Sequence, residues 1–121
     1  MMLNVYGIKN CNTVKKSLDW LGNNNIEFQF HDVKKNTLDV SLISSWAKKL
    51  PEPYTWENIV NKSGITWRQL EDNDKNIATD LTGAIELILK KPSVMKRPII
   101  TRNDKVITIG FDEKLFEEIY L

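Results

Sequence analysis

The sequence predicts a single α/β domain in the order β-α-β, a helical middle, then β-β-α. Three observations carry that prediction. The first third changes hydrophobic period twice, from a short apolar run through helical spacing to strict alternation. The middle holds helical patterns interrupted by Pro51, Pro53 and Pro92. Near the end, two β-rich runs are joined by a polar turn and followed by a capped helix. With 121 residues, one domain spanning 1–121 is expected, large enough for one hydrophobic core.

"LNVYG" reads as a short buried strand ended by Gly7. From Asn12 the spacing of Val14, Leu18 and Leu21 is helical, with Lys15, Lys16 and Asp19 off that face. "GNNN" ends this helix, and Asn25 suits the left-handed conformation common at helix ends. "IEFQFHDV" alternates Ile26, Phe28 and Phe30 with Glu27, Gln29 and His31, which is strand periodicity. The crossover is long enough for a parallel βαβ unit.

Asn36 and Thr37 are expected to open a second helix, with Leu38, Leu42, Ile43, Trp46 and Leu50 on its buried side. "TWENIVNKSG", "ITWRQLEDND" and "NIATDLTGAIELILKK" read as three further helical segments, the last with an apolar face through Leu81, Ile85, Leu87, Ile88 and Leu89. "RPIITR" and "KVITIG" read as a hairpin turning at Asn103-Asp104. "DEKLFEEIYL" reads as a final helix N-capped by Asp112.

The totals exclude several functions. A formal net charge of +1 supplies no strong field for nucleic acid or an anionic membrane. No apolar run is long enough for a membrane span, and no secretion signal is evident. The single cysteine allows no internal disulfide, and with the single histidine it cannot build a Cys/His zinc site, so no metal is expected. A cytoplasmic monomer is the expectation.

Cys11 falls where the first strand gives way to the first helix. A thiol there meets unpaired backbone N–H groups and the positive end of the helix dipole, both of which favour the nucleophilic thiolate. Lys9 and Lys15 are close in sequence and could add charge. Against this stands a buried structural cysteine, since free cysteines often pack in cores. Lys15 and Lys16 could equally form an ordinary solvated helix face. In "VMKRPII", proline after arginine suits an edge-strand start. A sharper reading is a cis Arg97–Pro98 bond in a turn facing Cys11, with Arg97 presenting a planar fork of donors. His31 reads as a structural strand residue, and Trp20, Trp46, Trp56 and Trp67 as packing residues.

In "YGIKNCNTVKK", "FHDV", "GITWRQL", "KRPII" and "IGFDE", taken in that order along nearly the whole chain, the sequence resembles the arsenate-reductase-like (ArsC/Spx/YffB) family of thioredoxin-fold proteins, most closely its YffB-type branch. The resemblance implies a thioredoxin-like fold: a four-stranded mixed sheet with helices on both faces and a helical insertion. It places the active-site cysteine at Cys11 and assigns substrate binding to Asn12, Thr13, Lys15, Arg97 and Pro98, the last cis. It implies a glutathione-dependent thiol-disulfide oxidoreductase with no bound cofactor. Glutathione or another small thiol would be the co-substrate, and an oxidised thiol or disulfide the substrate.

Two departures bear on the alternatives, which are arsenate reduction and an Spx-like binding protein without catalysis. The second cysteine of Spx-type regulators is replaced by Val14. Two arginines of arsenate reductases are replaced near Asn61 and at Gly110, with Lys62 as a possible substitute for the first. Losing two charged donors, at about 1.5–3 kcal/mol each, predicts negligible arsenate turnover.

Overall fold

The computed structural model describes residues 2–35 and 38–121. β1 (Leu3–Gly7), α1 (Asn12–Asn23) and β2 (Phe28–Asp32) form the opening unit. β1 and β2 pair in parallel, Leu3 opposite Phe28 and Gly7 opposite Asp32. α1 ends with Asn25 left-handed at φ 57°, where its short polar side chain tolerates a conformation most residues avoid.

β3 (Ile99–Arg102) lies antiparallel to β1, Val5 opposite Ile100, and β4 (Lys105–Ile109) lies antiparallel to β3. Asn103 and Asp104 both have positive φ, 52° and 63°, the geometry of a tight hairpin turn at the expected place. The strand order is β2-β1-β3-β4, which is the thioredoxin-like mixed sheet.

The period-two alternation of the strands sends side chains to two cores. Leu3, Val5 and Ile100 pack with Leu21 of α1 and Phe116 of α6 (Glu113–Tyr120) on one face. Ile99 and Val106 pack on the other face with Ile43 and Trp46 of α2 (Val40–Lys48) and Leu87 and Ile88 of α5 (Leu81–Lys90). Trp46 is buried with its ring edge-on to Tyr6 at 4.9 Å, and Trp20 packs on Phe116 at 5.4 Å. His31 stacks on Tyr6 at 4.7 Å, and its Nε2 lies 2.9 Å from Asn4 Oδ1, a structural position.

The helical middle is more broken than the sequence reading expects. The expected start of α2 at Asn36 and Thr37 lies outside the described residues; α2 runs from Val40, and Asp39 caps it by accepting the Leu42 N–H at 2.7 Å. The segment expected as one helix from Asn76 to Lys91 is broken. α4 (Asp72–Ile77) ends, and α5 begins at Leu81 after Asp80 accepts the Gly83 N–H at 2.8 Å. The capping aspartate competes with helix continuation. The rest of the insertion is the single-turn α3 (Ile65–Arg68) and two 3-10 turns, Trp56–Ile59 and Pro92–Val94, in place of the longer helical segments expected. None of the described helices is long and apolar enough to cross a membrane.

Candidate active site

The site begins with a close approach. A β-carbon on Gly7 would stand 2.8 Å from Val14 Cγ2, so glycine lets the first turn of α1 come down against the end of β1. Cys11 is the N-cap of α1, extended at φ −126° and ψ 120°, and its carbonyl accepts the Lys15 N–H at 2.9 Å. The N-cap position turns its side chain toward the free N–H groups of the first turn. Burial pushes the thiol pKa up, but the Val14 N–H, the Arg97 guanidinium and the Thr13 N–H more than offset it and hold it below the ordinary cysteine range. The partly buried thiol is therefore shifted toward the thiolate rather than sealed in the core.

Arg97 reaches Cys11 from the turn before β3. The Arg97–Pro98 bond is cis. Nη1 of Arg97 donates to the carbonyls of Ser93, at 2.7 Å, and Met95, at 3.0 Å, which fix the guanidinium plane. Nε is buried and donates to no group among the described residues. The fork expected for a substrate anion is thus partly committed to the backbone, and Arg97 serves first as a fixed charge beside the sulfur. Pro98 is buried, and its carbonyl accepts the Gly110 N–H at 2.8 Å, which ties the end of β4 to the start of β3.

A cleft of about 610 Å³ opens over the sulfur, within the range that holds drug-sized ligands. Cys11, Thr13 and Arg97 line it, and so do Asn61 and Gly110, at or near which the resemblance to arsenate reductases implied arginines. Those positions converge on the thiol, but neither carries charge. Lys62 does not take over: it faces Glu57 at 3.9 Å, lies over the Trp67 ring at 5.5 Å, and lines a neighbouring hollow. The second cation of the cleft is Lys96. Gly110 is left-handed at φ 83°, and a β-carbon on it would stand 3.2 Å from Lys96 Cε.

The other expected binding residues are placed apart. Asn12 opens α1 and is exposed, outside the lining of the cleft. The Lys15 side chain lines a separate groove with Val14, Leu18, Asp19 and Phe30. Neither Lys9 nor Lys15 is among the groups that shift the thiol. Proximity in sequence misleads here, because the helix turn aims Lys15 at β2 and leaves only its backbone N–H on Cys11.

Sequence reasoning missed Lys96, Tyr54, Phe111 and Asp112, all on the cleft wall. The signal for Lys96 was the basic pair before Pro98. The sequence marks Asp112 only as a cap, and it does accept the Leu115 N–H at 3.1 Å. Tyr54 follows a cis Glu52–Pro53 bond in the loop after α2 and carries no sequence signal of its own.

The fold and this site define a thioredoxin-like protein with one cysteine at a helix N-cap, beside an arginine that precedes a cis proline. Residues 6–119 match the ArsC family, and the chain belongs to it; its fold is that of the arsenate-reductase-like thiol oxidoreductases. An uncharacterized protein of Haemophilus influenzae is 40% identical over 116 residues, covering 96% of each chain. The solved structure of the YFFB (PA3664) protein superposes with a TM-score of 0.84 at 31% identity, covering 97% of each chain. The global transcriptional regulator Spx of Streptococcus pyogenes is 28% identical over 112 residues, which cover 93% of this chain and 80% of the regulator.

Proposed function

We propose that this protein is a glutathione-dependent thiol-disulfide oxidoreductase acting in the cytoplasm as a monomer. The observation that carries the reading is the Arg97 guanidinium beside the Cys11 thiol of lowered pKa, at the N-cap position of α1 and lining a cleft of tripeptide size. Cys11 attacks a disulfide sulfur and forms a mixed disulfide with it. No second cysteine can resolve this, and Val14, where Spx-type regulators carry one, is buried against Gly7. Glutathione, or another small thiol, must release the product. Lys96 and Arg97 suit its carboxylates, and Asp112 suits its ammonium group.

Arsenate reduction ranks lower. The oxyanion needs charged donors on more than one side, and Asn61 and Gly110 offer none. Relatedness to Spx regulators favours a binding protein as the second reading; a partner captured equally by Cys11→Ala would support it. The deciding experiment is intact-mass analysis after exposure to oxidised glutathione, with Cys11→Ser alongside, followed by glutathione-coupled disulfide reduction. One glutathione adduct lost in Cys11→Ser, with turnover, is expected. Unmodified protein under conditions that label a small free thiol would refute the reading, as would efficient arsenate turnover without disulfide reduction.

A further inference from the structure

Cys11 and Arg97 also line a second cleft, of about 420 Å³. Apart from these two residues its lining shares nothing with the first cleft. Its walls come from the loop before Cys11 with Lys9, the turn after β2 with Lys34 and Lys35, and α3 with Thr66. The charge is one-sided. Asp32 is the single carboxylate of the lining, and its Oδ1 already accepts the Lys34 N–H at 3.0 Å. The two ion pairs among the described residues, Lys62–Glu57 and Lys90–Asp74, leave all three lysines unpaired. Ile65, next to Thr66, is 65% exposed and offers an apolar foothold beside the cleft.

A single-cysteine mechanism needs two partners at one sulfur. Thiolate attack on a disulfide runs along the axis of the bond that breaks, so the incoming thiol and the departing one must lie on different sides of Cys11 Sγ. Two clefts that meet at Cys11 supply that arrangement.

We propose that the lysine-lined cleft receives the oxidised substrate, and that this substrate is the disulfide of an acidic polypeptide. The proposal rests on the oxidoreductase reading above. The Cys11 thiolate attacks one sulfur of the peptide disulfide. A Cys11–peptide S–S bond forms, the original S–S bond breaks, and the departing thiolate takes a proton from solvent. A small thiol in the first cleft then attacks Cys11 Sγ as its thiolate and expels the peptide's second thiolate, which is also protonated. A second small thiol attacks the small-thiol sulfur now bound to Cys11 and returns the Cys11 thiolate. One peptide disulfide is reduced to two thiols, and two small thiols are oxidised to one disulfide.

The test uses the full chain with glutathione held constant and three substrates: a disulfide-looped peptide flanked by glutamates, the same loop flanked by lysines, and a small neutral disulfide. The acidic peptide should exceed the basic one in kcat/KM by roughly tenfold, as two or three exposed ion pairs would give. That ratio should shrink with added salt. Lys34→Glu with Lys35→Glu should invert the preference, and the paired glutamine variant should bring it toward unity. Equal kcat/KM for the two peptides, a ratio indifferent to these variants, or turnover of the small disulfide alone would overturn the cleft assignment and leave the oxidoreductase reading standing. Turnover of none of the three would overturn that reading and the proposal with it.

Discussion

Lys96 crosses the space that a side chain on Gly110 would enter, with its Cε 3.2 Å from the missing β-carbon. With no side chain at Gly110, the lysine from the turn before β3 brings a cation to this wall of the cleft. A thiol co-substrate that uses this cation loses one partly exposed charge contact in Lys96→Met. KM for glutathione should then rise about three- to fivefold, with kcat little changed. Gly110→Ala should cost about 1–2 kcal/mol, because a left-handed φ of 83° forces the β-carbon against the chain. Steady-state kinetics and urea unfolding check the two outcomes.

Arg97→Met should move the midpoint of Cys11 alkylation against pH upward and slow alkylation at neutral pH by about tenfold, the scale of one charge-assisted hydrogen bond. The sign follows from the lowered thiol pKa of the folded protein. Folding favours the thiolate, so this contribution to stability is full above the unfolded value of about 8.5 and is lost as pH falls through the folded value. The stability advantage of the parent over Cys11→Ser should therefore grow with rising pH across that window. An alkylation midpoint unchanged in Arg97→Met would count against the arginine as the activating charge.

Tyr120 titrates in the opposite sense. Burial pushes its pKa up to about 12, only partly opposed by its hydrogen bond with Thr108, 2.6 Å away, and by Arg102. The raised value means that folding favours the neutral phenol. Its contribution is full below about 10, the unfolded value, and lost between there and about 12. Tyr120→Phe keeps the ring against Phe116 but removes the hydrogen bond. It should cost about 1 kcal/mol at neutral pH and reduce the alkaline loss of stability in urea titrations.

Gly83→Ala should be among the most damaging substitutions in the helical middle. Its β-carbon would fall 1.6 Å from the Ile77 carbonyl oxygen and 2.7 Å from the carbonyl carbon. Backbone cannot swing aside as a side chain can, so α4 must shift off α5. A loss of about 3 kcal/mol is expected, the upper range for overpacking. A midpoint of unfolding within error of the parent would show that α4 is not held where it lies.

Local chemistry made much of the molecule readable. Periodicity set β1, α1 and β2; Asp112 capped the last helix; Asn103-Asp104 turned the hairpin. Cys11 stood out because a strand-to-helix junction perturbs a thiol through groups within a few residues of it, and Thr13 and Val14 do so here. The break at Asp80 was less legible, since a short polar residue inside a helical pattern either caps or is tolerated, and packing of α4 against Gly83 decides which. Only the tertiary structure brought Arg97, Asn61, Lys96 and Gly110 to one cleft, and only it turned Lys15 away from the sulfur toward β2. Those outcomes depend on strand order and on where the α2–α5 segment packs. A side chain's distance from Cys11 in space is set by these long-range pairings, and its distance along the chain carries no information about them.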